Sequence, residues 1–206
     1  MLYFKLLGME INLNCDLGEK SKHHSNENDP ELLKIVNSAN VACGYHAGDE
    51  QTMQEIVKIS KENNVSIGAH PSFKDPENFG RKRMDLSASE ITKLVTDQYE
   101  ILQNIASLQG EKVSHIKPHG ALNNMACEDL ELATTLAKTI YHIDKDIIYL
   151  VPTGSKMEIA AKKLNMKIAC EIFADRNYED DGTLVSRTKD HALITDPNQA
   201  KNHVLN

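Results

Sequence analysis

Several features that would assign a function directly are absent from this sequence of 206 residues. Its net charge is −7 and it has no basic cluster longer than Arg81–Arg83, so nucleic acid is a poor candidate partner. The first apolar stretch, MLYFKLLG, is too short for a signal peptide or a membrane span, so we expect a cytoplasmic protein without membrane association. The four cysteines lie far apart, without zinc-knuckle spacing, which fits a reducing compartment.

Common nucleotide-binding and catalytic motifs are also missing. There is no GxxxxGK[ST] phosphate loop, no GxGxxG after a strand and no GxSxG nucleophile elbow. No HExxH pair places two histidines on one face of a helix. A nucleotide or metal site in this chain would therefore depend on residues brought together from different elements.

The chain has the composition of one globular domain. It is 40% hydrophobic and 26% charged, and its length suits one filled core. We found no internal repeat, low-complexity tract or long linker. We therefore expect a single domain over residues 1–206.

The hydrophobic pattern alternates between short β-branched runs and helical periods. The predicted strands are Glu10–Asp16, Ser38–Cys43, Val65–His70, His115–Lys117, Ile147–Val151 and Lys167–Ala174. The predicted helices are Thr52–Asn63, Ser87–Leu108, Leu130–His142 and Lys156–Leu164, and Ser87 with Glu90 forms a capping-box pattern. This alternation predicts an α/β fold with a parallel sheet, either doubly wound or closed as a barrel.

Chemically capable side chains follow four successive predicted strands. They are Asp16, His46, His70 and His119. Ligands in such folds bind beyond the carboxyl ends of the strands, so we expect these four to share one catalytic site. The set suits a divalent metal with an open position, and equally a metal-free site in which histidines move protons. The spacing does not separate these two alternatives.

A second group of residues is predicted to bind substrate. It comprises Glu19, Asp49, Lys117, Glu171, Asp175 and Arg176. Glu171 would be costly to bury unpaired, and Lys117 or Arg176 is a plausible partner. Arg176 suits a two-pronged contact to a substrate carboxylate, although a salt bridge to a nearby aspartate is an equal alternative. Asp49 also suits the cap of a helix.

Five motifs carry a family resemblance. In order they are INLNCDLGE, NVACGYHAGD, GAHPSFKDPENFGRKRM, KPHGALNN and EIFADRNYEDDGTLVSR. Their sequence and spacing resemble the LamB/YcsF family from about Glu10 to the end of the chain. The resemblance implies a seven-stranded (β/α) barrel-like fold related to polysaccharide deacetylases.

The resemblance also implies an activity. Members of this family are known as the A subunit of the bacterial 5-oxoprolinase. Similarity to them implies ATP-dependent hydrolysis of the lactam of 5-oxo-L-proline to L-glutamate, together with 5-oxoprolinase subunits B and C. Two alternatives stay open beside it, namely a metal-dependent deacetylase or amidohydrolase and a non-catalytic binding subunit.

The sequence departs from the family pattern in two places. Asn123 stands where the family motif usually has tyrosine, so a hydroxyl contact from that position is lost. The chain ends at Asn206, whereas family members continue to a final strand with an HGD-type motif. The resemblance therefore predicts a C-terminally short barrel that lacks its last strand.

Overall fold

A parallel sheet of six strands forms the centre of the molecule. The computed structural model describes residues 5–6, 9–22 and 24–205. The sheet strands are β3 (Asn14–Leu17), β4 (Ser38–Ala42), β5 (Ser66–His70), β6 (Val113–Ile116), β7 (Ile148–Pro152) and β8 (Ile168–Glu171). A separate antiparallel pair, β1 (Lys5–Leu6) and β2 (Met9–Glu10), precedes it.

The strands lie side by side in chain order, from β3 to β8. A doubly wound sheet would reverse its strand order near the middle, whereas a (β/α) barrel adds each new strand on the same side. The sheet is therefore a half-barrel, and the predicted α/β barrel-like fold is confirmed. No seventh parallel strand occurs within residues 5–6, 9–22 and 24–205.

Helices connect the strands. They are α1 (Asp29–Leu32), α2 (Glu50–Asn63), α3 (Ala88–Leu108), α4 (Gly120–Glu128), α5 (Leu130–Ile143), α6 (Lys156–Lys163) and α7 (Pro197–Leu205), with a 3₁₀ turn at Pro76–Asn78. The four predicted helices correspond to α2, α3, α5 and α6, and the capping box of Ser87 and Glu90 is present. Helix α4 was not predicted, because it begins with glycine and contains two asparagines, all weak helix formers.

Two predicted strands are longer than the observed ones by three residues or more. The first begins at Asn14 instead of Glu10, because its neighbour β4 offers partners only from Ser38 onward. The sixth ends at Glu171 instead of Ala174, because β7 ends opposite it at Pro152. Strand length here is set by the available partner as well as by local sequence.

The core lies between the sheet and its helices. Large side chains that are almost fully buried fill it, including Phe73, Leu102, Leu122, Leu136, Ile140 and Tyr149. Their burial removes the apolar faces of the helices from water and fixes the sheet beneath the loops at its carboxyl end. None of the helices in the described part of the chain combines the length and apolar character needed to cross a membrane.

Candidate functional site

Four parallel strands deliver the four predicted catalytic residues to one edge of the sheet. Asp16 lies within β3, and His70 is the last residue of β5. His46 follows β4 in a loop, and His119 is the N-cap of α4, just after β6. Because the carboxyl ends of parallel strands meet at one edge, these positions converge as the sequence predicted.

The loop that contains Phe79 and Gly80 packs directly on His46 and His119. Gly80 has a φ of +63°, and a Cβ placed there would lie 3.0 Å from the His46 Cβ and 3.1 Å from the His119 Cδ2. Phe79 meets both rings edge-on, with centroid distances of 5.4 Å to His46 and 5.2 Å to His119. The loop thereby excludes water from one side of the histidines, which are all buried.

Backbone carbonyls determine which nitrogen of two histidines carries the proton. The Nδ1 atom of His70 lies 2.6 Å from the carbonyl oxygen of Lys117, and the Nε2 atom of His119 lies 3.0 Å from that of Phe79. A carbonyl oxygen only accepts hydrogen bonds, so each of these nitrogens donates. In the neutral rings, the His70 Nε2 and the His119 Nδ1 therefore hold lone pairs.

These two lone-pair nitrogens face each other at 3.0 Å. Two lone pairs repel at that distance, so a proton on one of these two nitrogens or a cation between the rings is needed to bring them together. Fixing one ring nitrogen with a carbonyl while the other points to a shared centre is also how proteins orient metal-binding histidines.

Glu19 completes this group. Its Oε1 atom lies 3.1 Å from the His46 Nε2, 3.2 Å from the His119 Nδ1 and 3.8 Å from the His70 Nε2. One ligand atom from each of the four residues lies within 4.8 Å of all the others. The His–Glu cluster, meaning Glu19, His46, His70 and His119, could therefore hold a metal ion.

The carboxylate of this set differs from the one expected. The sequence pointed to Asp16 as the carboxylate beside the three histidines, whereas the structure brings Glu19 into that place. Glu19 follows β3 and reaches over the ends of the neighbouring strands, while Asp16 is held within the strand by other partners. Its Oδ2 atom nevertheless lies 3.4 Å from the His70 Nε2, so the two sets touch.

A second set of charges lies beside the cluster. The Lys117 ammonium is 3.1 Å from the Asp16 Oδ1 and 3.1 Å from the Glu171 Oε2. The Asn14 amide connects the same groups, since its Oδ1 accepts from Lys117 and its Nδ2 donates to Glu171. The predicted pairing of Glu171 with Lys117 is present, and both side chains are about 95% buried.

Burial and neighbouring charges shift the pKa values of these groups. Burial alone would raise the pKa of Asp16, but His70 and Lys117 outweigh it and hold that pKa well below its usual range. Burial would lower the pKa of His70, but the Asp16 carboxylate raises it above the usual value. Burial and the neighbouring His70 lower the pKa of His46 to about 3 and also depress that of His119. Without a metal, these shifts favour the charged forms of Asp16 and His70 and the neutral forms of His46 and His119.

Two predicted substrate-binding residues have other side-chain partners, and a third is exposed. Asp49 caps helix α2, and its Oδ1 accepts from the Thr52 backbone and hydroxyl. Arg176 is buried and donates to the carbonyl oxygens of Val185 and Ala192. Asp175 is exposed and belongs to the same C-terminal loops. The structure brings the other three, Glu19, Lys117 and Glu171, to the site.

Three polar residues beneath the site were not predicted from the sequence. They are Asn14, Asn40 and His115, which hydrogen-bond to one another or to Asp16 and Lys117. The period of two in a strand was a usable signal, because Asn14 faces the same side as Asp16 and His115 the same side as Lys117. Asn40 has this spacing only to Ser38 at the start of β4, which was not a candidate site residue, so the signal was weaker there.

Comparison with known proteins places the chain in a family. Residues 11–206 match the model of the LamB/YcsF family. The 5-oxoprolinase A subunit of Rhodopseudomonas palustris is 46% identical over 96% of this chain and 78% of its own length. Its namesake from Staphylococcus aureus is 43% identical over 96% of this chain and 79% of its own length.

A solved structure agrees with the sequence comparisons. The crystal structure of the lactam utilization protein from Thermus thermophilus superposes with a TM-score of 0.87 at 36% identity. The alignment covers 94% of this chain and 78% of that one. On sequence and on fold, this chain belongs to the LamB/YcsF family.

Proposed function

We propose that this chain is the A subunit of a 5-oxoprolinase, which opens the lactam ring of 5-oxo-L-proline to L-glutamate. The observation that carries the proposal is the identity of 43–46%, over 96% of the chain, to relatives named as the A subunit of 5-oxoprolinase. A relative of similar fold is named a lactam utilization protein. We further propose that the chain works with subunits B and C and that the assembled complex uses ATP.

The side chains at the site have the chemistry that a lactam requires. Opening the ring needs a base for the attacking water, a donor for the developing oxyanion and an acid for the leaving nitrogen. We assign the proton transfers to Asp16 and His70, whose Oδ2 and Nε2 atoms face each other at 3.4 Å. We assign to His46 and His119, whose pKa values are lowered by burial and by His70, the contacts to the substrate amide.

ATP has no evident place among the described residues of this chain. Helix α2, beside the site, already has its N-terminal amide of Thr52 capped by Asp49. The buried Lys117 is held by Asp16 and Glu171, so it does not offer a free charge to a phosphate. No step through ATP follows from these residues, and the proposed ATP dependence belongs to the complex.

The experiment combines the purified chain with subunits B and C, ATP and 5-oxo-L-proline and measures glutamate. Asp16→Asn and His46→Ala should each lower kcat about 100-fold or more if the residues transfer protons or contact the reacting amide. Lys93→Ala is the control, since Lys93 lies on the exposed face of α3. Absence of glutamate with the wild-type chain would refute the proposal, and full activity of both variants would favour a non-catalytic binding subunit.

A metal-dependent amidohydrolase or deacetylase is the second candidate, favoured by the His–Glu cluster. Glu19, His46, His70 and His119 would hold the ion, and their three imidazoles and one carboxylate suit a divalent transition metal. A divalent ion there would supply a Lewis acid for amide hydrolysis. Elemental analysis should then find about one Zn, Mn, Co or Ni per chain, and His119→Ala should lower that content. A wild-type chain without metal after growth in supplemented medium would refute this candidate.

A further inference from the structure

Four paired positions form a row across the first four strands of the half-barrel. The register pairs Asp16 with Asn40, Asn40 with Gly68 and Gly68 with His115. Side chains at paired positions of neighbouring strands face the same side of a sheet. Asp16, Asn40 and His115 therefore share one face, and Gly68 adds no side chain between them.

Hydrogen bonds join the three side chains, and the donor and acceptor of each bond are determined. The Asn40 Nδ2 lies 2.9 Å from the Asp16 Oδ1, and the Asn40 Oδ1 lies 3.0 Å from the His115 Nε2. A carboxylate only accepts, so the amide must turn its NH₂ group to Asp16 and its oxygen to His115. The His115 Nε2 therefore donates, and the orientation of the Asn40 amide is determined from both sides.

Gly68 is the position that allows this connection. A Cβ built on Gly68 would lie 2.1 Å from the His115 Nε2, whereas real Cβ atoms essentially never have a contact shorter than 3.0 Å. The imidazole thus occupies the space that a side chain on β5 would fill, and it reaches across that strand to Asn40. Any larger residue at this position would displace the ring from its hydrogen bond.

The two oxygens of the Asp16 carboxylate have different surroundings as a result. Oδ1 accepts from the Asn40 Nδ2 at 2.9 Å and from the Lys117 ammonium at 3.1 Å. Oδ2 faces the His70 Nε2 at 3.4 Å, on the side of the His–Glu cluster. The Asp16 side chain keeps 32% of its surface exposed, whereas Asn40 is fully buried and His115 nearly so.

We propose that Asn40 and His115 are positioning residues that hold the Asp16 carboxylate with Oδ1 engaged and Oδ2 presented to the histidines. His115 acts through Asn40, and among the described residues no hydrogen bond or ring contact joins it to the His–Glu cluster. The inference rests on the proposed function only in that Asp16 acts in the reaction. A purely structural network would affect stability and leave the chemical step unchanged.

The kinetic test uses two variants of His115 in the assembled complex. His115→Phe keeps the ring and removes the donor, so kcat should fall about 10- to 100-fold with KM close to that of wild type. His115→Gln retains a donor near the position of Nε2 and should recover most of the loss. Thr139→Val is the control, because it removes a buried hydroxyl between α3 and α5 and should leave kcat unchanged.

Gly68→Ala tests the same connection without altering a polar group. Alone it should lower kcat about as much as His115→Phe, because the new Cβ collides with the ring. In a His115→Ala background the same change should cost little further activity, since no ring is left to displace. This non-additivity would show that both changes act through the His115 ring. An unchanged kcat in either His115→Phe or Gly68→Ala, or losses that add in the double variant, would overturn the proposal.

Crystallography separates this inference from the proposed function. If the wild-type complex forms no glutamate, the proposed function fails, and crystal structures of wild type and His115→Phe then decide the positioning role. A rotated Asn40 amide with a turned Asp16 carboxylate in the variant would support it. An Asp16 carboxylate in the same orientation in both structures would overturn it.

Discussion

Replacing Lys117 with methionine should destabilise the protein strongly. The Lys117 side chain is 6% exposed and its Nζ lies 3.1 Å from carboxylate oxygens of both Asp16 and Glu171. Lys117→Met keeps the length of the side chain and removes its charge. Among the described residues, Glu171, whose side chain is 5% exposed, would keep only the Asn14 amide at 3.4 Å.

The expected cost is about 3–5 kcal/mol, the typical result of leaving a buried charge without its partner. For a domain of this size, that corresponds to a fall in Tm of about 6 to 20 °C. Urea unfolding of the wild type and the variant measures the free energy of unfolding directly. An m value equal to that of wild type would show that the folded state is otherwise retained.

An exposed ion pair with a shorter N–O distance provides the control. The Lys93 Nζ lies 2.8 Å from an oxygen of Asp97, but the Lys93 side chain is 76% exposed. Lys93→Met should therefore leave the free energy of unfolding close to that of wild type, because solvent screens an exposed ion pair. Adding Glu171→Gln to Lys117→Met should recover part of the loss, because it removes the unpaired charge. If Lys117→Met lowers the free energy of unfolding no more than Lys93→Met does, at equal m values, then burial does not strengthen the ion pairs of Lys117.

Three further substitutions test the packing and the helix ends. Ser87→Ala removes the capping box of α3 and should cost about 1 kcal/mol in urea unfolding, and no loss would show that the cap is dispensable. Leu102→Ala, at a fully buried core position, should cost about 2–5 kcal/mol, whereas a cost below that of the cap would contradict the observed packing. Tyr149→Phe should leave the melting temperature unchanged or raise it, because the buried hydroxyl has no hydrogen-bond partner in the described part of the chain. A clear drop in Tm would show that this hydroxyl is bonded.

The location of the site could be predicted because it depends on a local signal. Asp16 lies one residue before the end of β3, His70 ends β5, and His46 and His119 follow β4 and β6, and parallel strands end at a common edge. The metal candidate set was predicted less well. Glu19 lies beyond the strand, and only the folded loop shows that its carboxylate reaches all three histidines while Asp16 turns to Lys117.

The periodic pattern by itself determined the helices α2, α3, α5 and α6 and the alternation of strands with helices, because hydrophobic periodicity is set by neighbours along the chain. The tertiary structure decided the order of the strands, which separates a half-barrel from a doubly wound sheet. It also decided the register that aligns Asp16, Asn40, Gly68 and His115. These residues are separated by up to 99 positions in the chain. Their contact depends on strand pairing across the whole sheet, which no local pattern encodes.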